Sequence, residues 1–263
     1  LSVSEFIPPQ QTYVPDDNFE AYLESNGMGN GVSNDDFVLT ANIDTVTNLV
    51  VSFLSIADLT GIEDFTTLTT LNCNSNQLTS LDVSANTALT ELYCQNNQLT
   101  SLDVSTNTAL LQLHCNNNQL TSLNVIGATT LYKLVCYYNQ LTSLDVSNNI
   151  ALYYLVCRDN ELTSLDVSGA TTLEVIKCHN NQLTSLDVSN NVILETLNCY
   201  NNQLISLDLR NGNNQNLIVP WYDNPNLTCI NVDDSTWSTN NWTTTNPQQY
   251  FSNNCPLSTL IQE

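Results

Sequence analysis

The side chains able to do chemistry in this chain are few, and their spacing limits what that chemistry is. Seven of the nine cysteines, Cys73, Cys94, Cys115, Cys136, Cys157, Cys178 and Cys199, stand 21 residues apart without exception. A thiol can act as nucleophile or metal ligand once ionised. An identical residue in every period, however, defines no single active site, and a cysteine packed as a small hydrophobe cannot meet a substrate. Free, buried thiols are the expectation. His114 and His179 lie 65 residues apart, about three periods, too far to share a proton relay. The chain has no G-x-S-x-G, no H-E-x-x-H, no phosphate loop and no G-x-G-x-x-G after a strand. The stretch Gly27 to Gly31 lacks the acidic spacing of a calcium loop and reads as a turn. Catalysis therefore finds no footing, and a non-enzyme is expected.

Lys and Arg together number 4 against 26 Asp and Glu, a formal charge of -22. Such a field repels phosphate backbones and anionic lipid, which need basic residues to displace their counterions. Nucleic acid and bilayer surfaces are excluded as partners on that ground. No apolar run approaches the roughly 18 to 20 residues of a membrane-spanning helix. The opening LSVSEFIPPQ has neither a basic start nor an apolar run, so a leader, if the protein is exported, would lie outside this stretch.

The elements that must position these side chains follow from the same period. Five residues before each ladder cysteine comes a leucine, Leu68 through Leu194; two before it comes Leu71, Leu92, Leu113, Leu134, Leu155, Ile176 or Leu197. Three after it stands an asparagine, Asn76 through Asn202, and two further on another leucine. The second half of each unit reads LTSLDVS or a close variant. The string L-x-x-L-x-C-x-x-N-x-L resembles the signature of leucine-rich repeats, and the 21-residue unit with its nested half is similar to the bacterial IRREKO subclass. The resemblance covers residues 45–235 and implies a right-handed solenoid, mainly β. Alternation sends Leu71 and Cys73 inward and Thr70, Asn72 and Asn74 outward; Leu81 and Val83 do the same in the second half. Short parallel strands are thus expected on both sides of each coil, with the asparagines satisfying backbone groups at the turn.

Three parts are expected: residues 1–44 as tail and helical cap, 45–235 as solenoid, and 236–263 as C-terminal cap. Open solenoid ends must be covered. Asp16 and Asp17 ahead of Phe19 and Leu23 read as a capping helix, with Gly27 as its stop. Residues 35–67 form irregular coils with Phe37, Ile43, Leu49, Phe53, Ile56 and Phe65 among the core candidates. Cys229 and Cys255 fall outside the ladder and are expected to pair, closing the C-terminal cap. That ending is similar to those of exported leucine-rich-repeat proteins of the Bacteroidetes.

Columns that repeat serve packing, and columns that vary are free for recognition. The outward positions of the first strand and its following turn supply Tyr93, His114, Lys133, Tyr137, Tyr138, Tyr154, Arg158, Lys177, His179 and Tyr200. Three of the four basic residues fall in this set. Amphipathic aromatics mixed with cations are the kind of surface that carries binding energy. Tyr137, Tyr138, Tyr154 and Arg158 are the expected centre, extended by Trp221 and Tyr222. The resemblance implies a secreted or cell-surface module for adhesion or recognition of protein or glycan, with a spacer lacking its own ligand as the alternative; the net charge opposes pairing of sheet faces, so a monomer is expected. No cofactor is called for. The column Asp82, Asp103, Asp145, Asp166, Asp187 and Asp208, interrupted by Asn124, is a solvated face or, alternatively, a ladder attracting calcium.

Overall fold

Each period opens with a three-residue strand whose middle side chain points inward, and that alternation organises the molecule. The computed structural model describes residues 8–244 and 246–256; the outermost parts of the expected tail and C-terminal cap, and residue 245 within that cap, lie outside them. Strands Asn48–Val50, Thr70–Asn72, Glu91–Tyr93, Gln112–His114, Lys133–Val135, Tyr154–Val156, Val175–Lys177 and Thr196–Asn198 form one eight-stranded parallel sheet. Their register pairs Leu71 with Leu92, Leu92 with Leu113, and so on to Ile176 with Leu197. Each period therefore climbs one rung. The leucine and cysteine columns are fully enclosed and form one continuous core.

All seven ladder thiols are free and buried. Burial pushes Cys73, Cys136 and Cys178 up to about 12. It raises Cys94, Cys115, Cys157 and Cys199 well above the ordinary thiol range too, with neighbouring ladder thiols adding to the effect. These sulfurs are neutral packing groups.

The second half of the coil forms strands only in places. Ser101–Asp103 pairs with Ser122–Asn124, and Ser185–Asp187, Ser206–Asp208, Cys229–Asn231 and Tyr250–Ser252 form a four-stranded sheet. Between them Asp145 and Asp166 share a single bridge. The aspartates turn the chain on this side. Oδ1 of Asp82, Asp103, Asp145, Asp166 and Asp187 accepts the N–H of the serine two residues on, at 2.8–2.9 Å, which bends the chain after one strand-like step.

Two asparagine ladders close the two turns. At the first, Asn139 Nδ2 donates to the carbonyls of Cys115 and Cys136 at 3.1 and 3.0 Å, and its Oδ1 accepts the Leu120 N–H at 3.0 Å. The same three bonds recur at Asn97, Asn118, Asn160, Asn181, Asn202 and Asn224. One amide thus ties two rungs together. At the second turn stand Asn86, Asn107, Asn149 and Asn191, a column not singled out from the sequence. Each donates twice to backbone carbonyls but leaves its buried Oδ1 without a partner. In two coils alanine replaces the asparagine, as Ala128 and Ala170, preceded by glycine. A Cβ on Gly127 or Gly169 would lie 1.8 or 1.9 Å from the carbonyl oxygen of Ser105 or Ser147.

The caps follow their sequence signals. Helix Asp17–Ser25 is capped by Asp16, whose Oδ1 accepts the N–H groups of Asn18 and Phe19, both at 3.0 Å. Its Oδ2 accepts those of Ala57 and Asp58 at 2.7 and 3.1 Å, fastening the helix to the first irregular coil. Phe19 and Leu23 are buried, with Phe19 stacked on Phe65 at 6.3 Å. Strand Gln11–Tyr13 pairs antiparallel with Phe37–Leu39 beside it. Cys229 and Cys255 form the expected disulfide, Cα to Cα 5.8 Å, joining the start of strand Cys229–Asn231 to the segment that follows strand Tyr250–Ser252.

Two core expectations fail. Phe37 lies on the outer side of its strand, against Tyr13 at 5.6 Å. Phe53 is 75% exposed, because it sits at φ 60° in the corner position that Ser75 and Asn96 occupy in later coils.

Candidate binding face

The outward side chains of the eight-stranded sheet and its following corner form a wall that changes character along the stack. Its middle is where the cations meet the rings. The Arg158 guanidinium carbon stands 4.2 Å from the centroid of Tyr137, one rung back, and 4.9 Å from that of Tyr138, while its Nη1 pairs with Asp159. Tyr154 has an ammonium from each neighbouring rung, Lys133 Nζ at 5.7 Å and Lys177 Nζ at 5.8 Å. Such contacts satisfy the rings' negative faces and hold both partners in place, at about 0.5–1 kcal/mol each where exposed. Beneath them Val135 and Val156, outward by alternation, are only 7% and 5% exposed. Lys133, Tyr137, Tyr138, Tyr154, Arg158 and Lys177 are thus one patch over an apolar floor.

Tyr138 is held at φ 52°. The corresponding residues on other rungs are Ser75, Asn96, Asn117, Asp159, Asn180 and Asn201, also at positive φ. Asn and Asp tolerate this conformation, and a tyrosine there is uncommon. The ring it carries is half exposed and stands beside Arg158.

The remaining expected residues fall into two flanking groups. His179 stacks on Tyr200 with centroids 4.3 Å apart, and Tyr200 on Tyr222 at 4.6 Å, both nearly parallel. The stack follows the rung spacing of about 4.8 Å. His179 is only 7% exposed, so within this group Tyr200 and Tyr222 are the accessible rings. At the other end Tyr93 meets His114 edge-on at 5.1 Å and donates its hydroxyl to Glu91 at 3.0 Å. Burial, with Lys133 nearby, lowers His114 to about 4, and burial lowers His179 as well. Three rungs, roughly 14 Å, separate the two imidazoles.

Trp221 does not extend the face. It is 4% exposed and packs edge-on to Trp242 at 5.5 Å and Phe251 at 5.7 Å. The last coil carries one extra residue, so Trp221 takes the inward cysteine column, three before Asn224, whose Nδ2 donates to its carbonyl. Tyr222 then follows as the outward residue. Two further rings belong to the wall and were not among the expected residues. Tyr132 and Tyr153, each directly preceding its strand, stack at 5.8 Å, with Tyr153 6.1 Å from Tyr154. Comparing one column earlier finds them, since Thr69, Thr90, Leu111, Tyr132, Tyr153, Glu174 and Glu195 vary there too.

The opposite wall is a shallow groove of about 490 Å³ lined by Ser143, Asp145, Ser164, Asp166, Ser185 and Asp187. Hydrogen bonds from the following serines, hydroxyl first and then N–H, hold Asp82, Asp103, Asp145 and Asp166 below the usual carboxylate range. These carboxylates are committed to the turn. Among the described residues no helix is long and apolar enough to cross a membrane.

No protein-family model matches the chain, and no curated protein does. Solved structures do. Internalin C2 from Listeria monocytogenes is 20% identical at a TM-score of 0.58, covering 86% of this chain and all of that one. A leucine-rich-repeat protein of Leptospira interrogans is 24% identical at 0.57, covering 73% of this chain and 62% of its own. The leucine-rich effector protein YopM from Yersinia pestis is 25% identical at 0.57, covering 72% and 56%. The chain thus matches only a little over half the length of the latter two. What it shares with these bacterial proteins is the fold: stacked parallel rungs, little helix and a leucine-lined interior make this chain a leucine-rich-repeat solenoid.

Proposed function

We propose that the chain is a binding module, not an enzyme, and that it engages a protein or glycan through the wall centred on Tyr137, Tyr138, Tyr154 and Arg158. One observation carries this reading. In a body of charge -22, three of the four Lys and Arg side chains meet tyrosine rings on a single face, over an apolar floor. The flanking Tyr93, His114, His179, Tyr200 and Tyr222 lengthen that face along the stack, within the solenoid proper of residues 45–235. The thiols are buried away from any substrate and the two imidazoles stand rungs apart, which supports binding over catalysis. The bacterial leucine-rich-repeat neighbours, one of them described as an effector protein, support a role in interaction. The Cys229–Cys255 bond supports an oxidising environment, hence a secreted or surface protein of the kind that Bacteroidetes export. Strong like charge supports a monomer.

The test pairs a glycan array with pull-down from the surfaces the protein would meet. A Tyr137→Ala/Tyr154→Ala/Arg158→Ala variant should lose any ligand that wild type captures, while Asp145→Asn/Asp166→Asn on the opposite wall should keep it. Capture that survives the first variant and fails in the second would move the site to the aspartate wall. No specific capture by wild type would leave a spacer without its own ligand.

A further inference from the structure

The cap helix buries a carboxylate that no described side chain neutralises. Glu20 is 1% exposed. Its Oε1 accepts the Asp35 N–H at 3.1 Å, whereas its Oε2 is buried and accepts no hydrogen bond among the described residues. A carboxylate in that position is costly unless it is paired or bound to a metal. No Lys, Arg or His occurs anywhere before His114. What stands beside Glu20 is more negative charge: one carboxylate oxygen from each of Asp17, Glu20 and Asp36 lies within 4.8 Å of the others. Two donors about 2.4 Å from one calcium ion can be at most that far apart.

We propose that Asp17, Glu20 and Asp36 bind a hard divalent cation of the calcium type. The donor set is all oxygen and all anionic, which suits such an ion and not zinc or copper. Asp17 lies in the first turn of helix Asp17–Ser25, and Asp36 directly precedes the strand Phe37–Leu39. The ion joins these two segments over Glu20 and so fastens the lid on the open end of the leucine column, where Phe19 stacks on Phe65. This site is separate from the binding face, whose first residue, Tyr93, stands two strands beyond Asn48–Val50.

The experiment uses the full chain stripped with chelator, then titrated with calcium by calorimetry and by thermal unfolding. The expected result is one saturable site with Kd between about 10⁻⁵ and 10⁻³ M and a Tm that rises as it fills. Asp17→Asn and Asp36→Asn, both away from the core, should weaken binding at least about tenfold. Glu20→Gln should raise the Tm in chelator above wild type, by removing the unpaired charge, and abolish the calcium response. Asp145→Asn/Asp166→Asn should leave the response intact. No heat and no Tm shift at about 10 mM calcium would overturn the proposal. So would a response that persists in an Asp17→Asn/Glu20→Gln/Asp36→Asn chain or that disappears in the Asp145→Asn/Asp166→Asn chain.

Discussion

The two turns of each coil solve the same problem differently. At the first turn an asparagine occupies the column on every rung from Asn76 to Asn224, and from Asn97 onward each bridges two rungs with the same three hydrogen bonds. At the second turn Asn86, Asn107, Asn149 and Asn191 leave their Oδ1 unpaired, and Ala128 and Ala170 take the place outright. Outside, the relation is reversed. The wall flanking the invariant turn varies from rung to rung, and the wall flanking the tolerant turn is monotonous Ser and Asp. A surface can diversify when the backbone that displays it is fixed from within by bonds that do not involve the displayed side chains.

Breaking the two ladders separately should expose that asymmetry. The largest effect expected is at the first turn. Asn139→Ala would leave the Leu120 N–H and the Cys115 and Cys136 carbonyls without their amide, costing about 3 kcal/mol, read from urea unfolding. Asn149→Ala at the second turn removes two donations but also an orphaned oxygen, so about 1 kcal/mol is expected. Equal losses at the two positions would dissolve the comparison.

The interior shared by both turns should respond to alkali. The ladder thiols are raised by burial, to about 12 at Cys73, Cys136 and Cys178, above the ordinary value near 9. Groups raised in the folded state contribute stability that is complete below the unfolded value and is lost as pH climbs through the folded one. Stability should therefore fall steeply between about pH 9 and 12, each thiol adding about 1.4 kcal/mol per pH unit to the slope. A Cys115→Ala/Cys136→Ala/Cys157→Ala chain should show a shallower fall across the same window, whatever its starting stability. An unchanged slope would mean that these sulfurs ionise while folded.

The smallest effect belongs to the monotonous wall. Asp145 and Asp166 are lowered by their serine hydrogen bonds, so the stability they contribute is present above the unfolded carboxylate value and is lost as pH falls through the folded one. Both are well solvated. Asp145→Asn/Asp166→Asn, which keeps the accepting oxygen, should change the urea midpoint at pH 7 very little and slightly flatten its decline below about pH 4.

The period made most of this architecture legible. Leucines, cysteines and first-turn asparagines recur at fixed spacing, and alternation alone places them inside. Trp221 departs from its expected place for a physical reason: one added residue after Cys199 shifts the register, so counting forward from the cysteines puts the ring outside. Counting back from Asn224 puts it inside. Phe53 misled because a large apolar residue occupies a corner whose backbone, not its hydrophobicity, decides exposure. The second asparagine ladder was written in the sequence but interrupted by Ala128 and Ala170. The wall itself was legible as a set of variable columns. That Arg158 covers Tyr137, and that two lysines from different rungs flank Tyr154, depends on side-chain directions that spacing does not specify. The burial of His179 under its neighbours has the same origin.

The central claim is that the varied wall is the working surface. Its most direct test is the equilibrium affinity of a ligand captured by wild type, measured on paired variants of the two walls at matched stability. Replacing Tyr137, Tyr154 and Arg158 together by alanine should weaken binding by about a hundredfold or more, and the Asp145→Asn/Asp166→Asn pair by less than about threefold. Equal affinities for the two variants would contradict it.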